Sequence, residues 1–506
     1  MAAQSPYKPI PGPVDRVTFF SMQRRHRRAS WRFSAAAIAA VFLTGLPLSI
    51  LITPLLYAVA LLVAEVTRSP WLTELHNVPL LFPHALAFLA GKQVVVPFRE
   101  MLIVSGVLVL PGAILLLGFW AMIRVVFRRA GVGGVLLTLG ARDPNLNDFE
   151  ERQLMNLVEE MAIAAGVPPP RVMLLDAAAA GGAANAAAVG WSMSDATVVV
   201  TRPLLDGLGR DETQAIIGRL IGAVGNGDLK IALIILSIYQ TMGVVSLLLN
   251  ALFGFRAWRI LFRFVRLAIL PHGASEQDAV MTALARAADS DEDIQRFTSR
   301  HSNSGCLTMV TLPIQWSAMS IDMVVGLSSG LVVGQLIGAM WKRRQLLADA
   351  TAVQLTRNPD GLASAVERLS RYPVAVPKAA PVSHLFAAWW GSTRGDDTDS
   401  SSATALSRSM NVGAERRLKA LRAMGAHIAL STRKPSLLGA ILMTVLLGPF
   451  LVLIFGMLAV VLVLIMGLDL LFMMLFLVAI YGVSRLIATY GPGVFHALQE
   501  QLRRIR

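Results

Sequence analysis

The chain is poor in charged residues and has almost no cysteine. Of its 506 residues 15% are charged and 55% are hydrophobic, whereas about a quarter are charged in soluble domains. This composition excludes a simple soluble, disordered or fibrous protein. The single cysteine, Cys306, cannot form an internal disulfide bond and leaves no cysteine-based metal cluster. One free thiol is compatible with a reducing cytosolic face.

Long apolar stretches dominate the chain instead. About 20 apolar residues cross a bilayer, and six stretches meet that length: 34–64, 101–123, 231–254, 318–340, 437–466 and 470–484. Basic residues flank these stretches and do not form a patch interleaved with aromatics, which argues against nucleic acid as a partner. We therefore predict a multi-pass protein of the cell inner membrane, with the lipid bilayer as its partner and both termini in the cytoplasm.

The segments between the stretches predict one water-facing domain that is split by two spans. The fold class is mostly α, with about six transmembrane helices and a cytoplasmic α+β domain. The predicted divisions are a basic cytoplasmic N-terminus (1–33), a transmembrane hairpin (34–123), a first half-domain (124–230), transmembrane helices with an interfacial helix and loop at 255–305 (231–340), a second half-domain (341–436), and a C-terminal hairpin with a basic tail (437–506).

Two patterns stand out near the membrane. Arg256, Arg259, Arg263 and Arg266 recur at helical spacing, which predicts a basic amphipathic helix on the membrane surface, on a side that the sequence leaves open. The alternative is a helix packed within the bundle. The second pattern is a stripe of small residues repeated every four positions, which predicts a helix-packing face; its members are Asp322, Gly326, Gly330, Gly334 and Gly338. Asp322 is also a functional candidate or a solvated interfacial group.

The first half-domain has clear local patterns. Apolar spacing predicts a helix over 148–165, and short apolar runs predict strands at 171–175 and 197–201. A further helix begins at 210–212, where Asp211 is suited to cap it, and continues to Asn226.

Here the chain resembles the membrane zinc metallopeptidases related to the heat-shock protease HtpX and the CAAX prenyl endopeptidases. The matching segments are Asn185-Ala186-Ala187-Ala188, 200–206, Arg210-Asp211-Glu212, Asn226-Gly227-Asp228 and 348–356. In that family the helix between the third and fourth segments carries H-E-x-x-H. A Glu four residues before the Asp of the last segment is the third zinc ligand.

The resemblance implies that the α+β domain is metallopeptidase-like, of zincin type. It also implies that the zinc site has been lost here. The two ligand positions on the helix hold Arg219 and Ala223, Leu220 replaces the general base, and Gln345 replaces the ligand Glu before Asp349. No metal ligand set and no cofactor are therefore expected, although zinc is the cofactor of the family. We expect Arg219 and Gln345 to hydrogen-bond across the vacated site, with Asp228 or Asp349 beside them.

A peptide groove is expected to survive, because an extended edge binds peptides through its backbone. The resemblance assigns Asn185, Ala186, Ala187 and Val199 to that groove. The alternative is a strand of small residues that only packs in the half-domain.

These features favour a catalytically inactive, metallopeptidase-like membrane protein that binds or regulates membrane-protein or unfolded-protein clients, or pairs with itself or an active relative in protein quality control. One alternative is an active membrane-bound metalloendopeptidase with a rearranged site. Another is a transporter with Asp322 and Asp469 in its pathway, although nothing in the sequence resembles paired broken helices.

Overall fold

The computed structural model describes residues 18–67, 98–130, 140–251, 255–270, 333–371 and 410–427, with isolated residues 276, 279, 280, 319, 321, 323, 325, 326, 376, 387, 464 and 467. Helices predominate among them. In chain order the elements are α1 (Phe19–Thr67), α2 (Phe98–Ala130), β1 (Ala141–Arg142), α3 (Phe149–Ala165), β2 (Arg171–Leu175), β3 (Ala186–Val189), β4 (Thr197–Thr201), α4 (Arg202–Gly207), α5 (Arg210–Gly225), α6 (Asp228–Ala251), α7 (Phe255–Ile269), α8 (Gly334–Thr356), α9 (Pro359–Leu369) and α10 (Ala414–Ala423).

The four strands form one small mixed sheet in the order β1, β2, β4, β3. β2 and β4 run parallel, with Arg171 opposite Thr197 and Leu175 opposite Thr201. β1 pairs antiparallel with β2, and β3 pairs antiparallel with β4. The β-branched residues of β4 suit a central strand, and β3 is left at an edge of the sheet.

Each face of the sheet packs against a different set of helices, because successive side chains of a strand point to opposite faces. On one face Val198 and Val200 of β4 lie in a core with α3, α5, α8, α9 and α10. On the other face Val199 lies in a core with α2, α6 and α7. The first core contains side chains from both predicted half-domains, so these segments pack together.

Three helices of the described part of the chain are long and apolar enough to cross a membrane. The candidate spans are Phe19–Thr53 in α1, Ser105–Val126 in α2 and Asp228–Leu249 in α6. They overlap the first three stretches that the sequence predicts. The first one starts earlier than predicted, since α1 runs without a break from the basic N-terminal residues into the apolar stretch. The predicted spans at 437–466 and 470–484 lie outside the described residues, apart from the isolated position 464.

Helices α1 and α2 cross closely near Pro111 of α2. Pro111 lies inside α2 and has no N–H to donate to the preceding turn. The free carbonyl of Val107 accepts a hydrogen bond from the Tyr57 hydroxyl, at 3.2 Å. The next residue, Gly112, donates its N–H to Thr53 Oγ1 at 3.1 Å, and a Cβ there would collide with the Ser49 backbone.

The glycine stripe is only partly described. Asp322 and Gly330 lie outside the described residues, and Gly326 is exposed. Gly334 and Gly338 are buried at the start of α8. This end of α8 packs through a shared core against α1 and α6, and the packing face along the whole stripe stays a prediction.

The basic helix α7 packs within the bundle along one face. Leu261 and Phe264 are buried against α2 and α6, as the alternative from the sequence expected. Three of its arginines, Arg259, Arg263 and Arg266, are exposed.

The short-range predictions in the half-domain agree with the observed elements, with one exception. Asp148 caps α3 by accepting hydrogen bonds from the N–H groups of Glu150 and Glu151. The prediction that Asp211 caps α5 is wrong. The N-cap residue is Gly209, and its N–H donates to Glu212 Oε2 at 2.9 Å, because a Glu three residues after the cap can fold back onto it.

Candidate functional site

The four positions at which the sequence analysis predicts lost zinc-site groups meet between α5 and α8. Gly222 permits this close approach, because a Cβ at this position would lie 2.9 Å from the side chain of Thr351. A small, partly open cavity of about 30 Å³ lies at this contact. Its lining residues are Ala188, Arg219, Leu220, Ala223, Asp228, Leu229, Trp341, Gln345 and Ala348. The residues that sequence reasoning placed at one lost centre are thus brought together around one cavity.

A buried ion cluster stands beside the cavity. Arg219 Nε donates to Asp349 Oδ1 at 2.9 Å. Arg417 of α10 donates to both oxygens of the same carboxylate, through Nε to Oδ2 at 2.8 Å and through Nη2 to Oδ1 at 2.7 Å. The exposed fractions of Arg219, Asp349 and Arg417 are 4%, 1% and 1%. One carboxylate therefore binds two guanidinium groups in the interior.

Burial and like charge both act on Arg219. Its burial and the nearby Arg417 lower the pKa of the guanidinium to about 10, although Asp349 opposes the shift. Burial alone would raise the pKa of Asp349, but the charges and hydrogen bonds of Arg417 and Arg219 hold it below its usual range. At neutral pH Arg219 and Asp349 are therefore both charged.

A second ion pair lies on another wall of the cavity. Arg344 of α8 donates through Nε to Asp228 at the start of α6, and its Nη2 donates to the Asn226 carbonyl at 2.6 Å. The side chain of Asn226 in turn donates to Thr351 Oγ1 at 3.1 Å. These bonds tie the loop between α5 and α6 to α8.

The hydrogen bonds of the Gln345 side chain go to the segment before α10 and not to Arg219. Its Nε2 donates to Asn411 Oδ1 at 2.7 Å, and its Oε1 accepts from the Val412 N–H at 3.0 Å. The predicted bond between Arg219 and Asp349 is thus present, whereas Gln345 is held by the segment before α10. The reason is that both ends of the amide are satisfied there while Asp349 is already shared by two arginines.

The donor set at these positions does not fit zinc. A guanidinium and a methyl group offer no lone pair to a metal, and a dication beside Arg219 would be repelled by its fixed charge. Among the described residues no group of three His, Cys, Asp or Glu side chains is placed to hold a metal ion. Leu220, at the general-base position, is 1% exposed and packs in the core of the domain.

The predicted groove residues line the cavity less directly than expected. Asn185 anchors the start of β3, where its N–H donates to Thr201 Oγ1 at 2.9 Å. Ala187 and Val199 point to the opposite core, with α2 and α6. At the outer edge of β3 the carbonyl of Ala186 accepts a hydrogen bond from the Ala387 N–H at 2.7 Å. Ala188 is the residue of β3 that lines the cavity.

Sequence reasoning missed the partners supplied by the second half-domain. Arg417, Asn411 and Ala387 were not singled out, yet Arg417 holds Asp349 and its Nη1 donates to the Ala387 carbonyl at 2.8 Å. One signal was available: Arg417 and Leu421 are four residues apart on α10 and both are buried. An arginine at a core-facing position of an amphipathic helix predicts a buried carboxylate partner.

Known proteins match this region. Residues 148–305 match the family model described as peptidase family M48. The protease HtpX homolog of Dictyoglomus thermophilum is 28% identical over 237 residues, which cover 47% of this chain and 59% of the relative. The homolog of Thermoanaerobacter pseudethanolicus is 27% identical over 253 residues, which cover 50% of this chain and 67% of the relative.

A third relative, the protease HtpX homolog of Dictyoglomus turgidum, is 26% identical over 46% of this chain and 58% of its own length. The chain therefore spans about three fifths of the length of these curated relatives. No solved structure matches it. The matches confirm the resemblance predicted from the sequence: residues 148–305 are similar to peptidase family M48, and the chain is similar to proteins named protease HtpX homolog.

Proposed function

We propose that this protein is a catalytically inactive M48-type membrane protein that binds or regulates membrane-protein or unfolded-protein clients, alone, as an oligomer or with an active relative. The observation that carries the proposal is the ion pair between Arg219 and Asp349, at the position where the family holds a zinc ligand. A fixed cation with a buried carboxylate partner replaces a metal site.

The chemistry of the neighbouring positions supports inactivity. Hydrolysis of a peptide bond in this family needs an activated water, and a general base contributes roughly 10²- to 10⁴-fold to such a step. Leu220 has no proton-accepting group and is fully packed. Gln345 has its amide engaged with Asn411 and Val412. The alternative, an active endopeptidase with a rearranged site, needs a metal and a base from other residues.

A binding role has its own support. The cavity remains between α5 and α8, and β3 lies at its wall with part of its edge facing outward. We further propose that the protein is a multi-pass protein of the inner membrane and that this domain faces the cytoplasm. The basic residues of α1 before its apolar stretch support that orientation.

The test is the zinc content of the purified full chain beside a restored variant. The variant carries Arg219→His, Leu220→Glu, Ala223→His and Gln345→Glu. We expect no zinc and no cleavage of an unfolded protein by the wild type, and about one zinc per chain in the variant, measured by elemental analysis.

A matched control separates metal binding from catalysis. The same variant with Leu220→Gln in place of Leu220→Glu keeps the three ligands but lacks the base, so we expect it to bind zinc without cleavage. Near-stoichiometric zinc in the wild type, together with cleavage that a chelator abolishes, would refute the proposal in favour of the active alternative.

A further inference from the structure

Arg219 has hydrogen-bond donors that its ion pair does not use. Its Nε donates to Asp349, but its Nη1 and Nη2 donate to no described residue. A guanidinium carries five N–H donors in a planar fork, and an interior position gives water little access to them. The side chain is 4% exposed and lines the cavity, so these two nitrogens form a pair of hydrogen-bond donors at the cavity wall.

The two nearby carboxylates are already occupied. Both oxygens of Asp349 are bonded to Arg417, and one of them also accepts from Arg219. Asp228 is bonded to Arg344. Neither carboxylate is therefore left to bind the Nη atoms of Arg219, and a further anion would supply the missing partner.

The shape and surroundings of the cavity select among anions. Its walls near Arg219 include the apolar side chains of Leu220, Ala223 and Leu229. A planar carboxylate matches the Nη1 and Nη2 fork in a bidentate geometry. A multiply charged phosphate would place a second negative charge against apolar groups at a desolvation cost.

The adjacent strand indicates how such a carboxylate would be carried. In the antiparallel pair of β3 and β4, alternate residues direct their backbone N–H and C=O groups to the partner strand. Asn185 does so, since its carbonyl accepts from the Thr201 N–H. By the register of the two strands, the backbone groups of Ala186 and Ala188 therefore point to the outer edge. The Ala186 carbonyl is bonded to Ala387, which blocks a peptide that would continue along the strand. Ala188 lies beside the cavity. A peptide that pairs with Ala188 would have to end before Ala186, because Ala387 occupies the edge there.

We propose that this cavity binds the C-terminal carboxylate of an extended peptide, with Arg219 Nη1 and Nη2 donating to the carboxylate and Ala188 pairing with the peptide backbone. The inference rests on the proposed function in taking the ligand to be a peptide that is bound and not cleaved. It names the feature of a client that this chain recognises, a free chain end.

The test uses the full chain in lipid nanodiscs and two fluorescent apolar pentapeptides of the same sequence, one with a free C-terminus and one with a C-terminal amide. We expect the free acid to bind at least roughly tenfold more tightly than the amide, because a charge-assisted bidentate pair is lost in the amide. In Arg219→Gln that ratio falls to about one. Equal affinity of the two peptides for the wild type, or an unchanged ratio in Arg219→Gln, overturns the proposal, as does the absence of binding by either peptide.

Two further variants protect the test from a folding artefact. Ala223→Leu fills the cavity and leaves every charge in place, so it should weaken the free acid while its thermal unfolding matches the wild type. Arg259→Gln removes an exposed arginine of α7 and should leave the ratio unchanged. If Ala223→Leu unfolds like the wild type and binds the free acid with unchanged affinity, the cavity is not the site and the proposal fails.

Free anions distinguish the source of the carboxylate. Thermal stabilisation of the wild type by acetate, at constant ionic strength and absent in Arg219→Gln, would show that the carboxylate alone suffices. Stabilisation by inorganic phosphate in place of acetate would contradict the choice of anion. Cleavage of either peptide in the presence of zinc would refute the proposed function, while the ratio of the two affinities is measured separately.

Discussion

Two clusters of charged residues have the same arrangement, in which one buried carboxylate binds two arginines. They differ in the surroundings of that carboxylate. Glu151 is 2% exposed and binds Arg142 at 2.7 Å and Arg202 at 3.2 Å. Asp349 is 1% exposed and binds Arg219 at 2.9 Å and Arg417 at 2.7 Å. The first cluster joins the N-terminus of α3 to β1 and α4, and the second joins α5, α8 and α10.

The arginines around Glu151 are partly exposed and have further acidic partners. The side chain of Arg142 also binds Asp176, and that of Arg202 also binds Asp148, Glu150 and Asp206. The arginines around Asp349 are buried, and within the described part of the chain Arg219 forms an ion pair with Asp349 alone. Loss of the central carboxylate should therefore cost less in the partly exposed cluster than in the buried one. The comparison indicates that the first cluster stabilises the fold and that the second can bind a ligand.

The largest expected effect is that of Asp349→Asn. The substitution removes the carboxylate that both buried guanidinium groups bind, and breaking a buried pair in this way costs about 3–5 kcal/mol. We expect a large drop in the free energy of unfolding of the domain. Denaturant titration of the protein in detergent measures it.

Asp206→Asn is the matched control, because it removes an exposed carboxylate that binds Arg202 four residues before it. Its expected cost is below about 1 kcal/mol. Similar losses in the two variants would mean that burial does not distinguish the clusters.

Glu151→Gln should have an intermediate effect. The carboxylate is buried and also accepts the Asn145 N–H at 2.6 Å, so its removal costs more than that of a surface group. Arg142 and Arg202 keep other carboxylates and reach solvent, so we expect about 1–3 kcal/mol. The same denaturant titration provides the measurement, and a loss as large as that of Asp349→Asn would contradict the proposed difference.

Acid should weaken both clusters in a defined direction. The hydrogen bond from Arg142 holds the pKa of Glu151 below its usual range, while the two arginines overcome burial to lower that of Asp349. A carboxyl whose folded pKa is depressed contributes stability that is fully present above its unfolded pKa, near about 4, and that is lost as the pH falls through the folded value. We expect unfolding free energy to decline below about pH 4.

Unfolding measured between neutral and acid pH in the wild type and in Glu151→Gln tests this linkage. The variant should lose less stability on acidification, since it has one fewer group with a depressed pKa. An identical decline in both proteins would show that Glu151 does not contribute to it.

The local elements of the domain were predictable from the sequence because they follow from short-range patterns. The strand at 171–175, the strand at 197–201 and the helix capped by Asp148 each rest on neighbours within a few residues. The convergence of Arg219 and Gln345 on one cavity was also predictable, but through the resemblance to a family and not from spacing.

The remainder depends on contacts between distant segments. Arg417 is 68 residues from Asp349, and Asn411 is 66 residues from Gln345. A single sequence does not specify such pairs, because a charged residue on an amphipathic helix is usually solvated. The same limit applies to Ala387 on the edge of β3, which only the folded chain places beside Ala186.

The smallest effect on stability is expected for Arg219→Gln, although this residue lies at the centre of the proposed site. Arg417 continues to bind both oxygens of Asp349, so the carboxylate stays paired. Removal of Arg219 also relieves its repulsion by Arg417 and the cost of its burial, which are the causes of its lowered pKa. We expect a change below about 1 kcal/mol in the unfolding titration, as for a residue whose partner is satisfied elsewhere. Arg417→Gln is the contrasting variant, because it leaves Asp349 with a single bond and should be clearly less stable than Arg219→Gln. If Arg219→Gln is instead the more damaging of the two, Arg219 serves the fold and not a ligand.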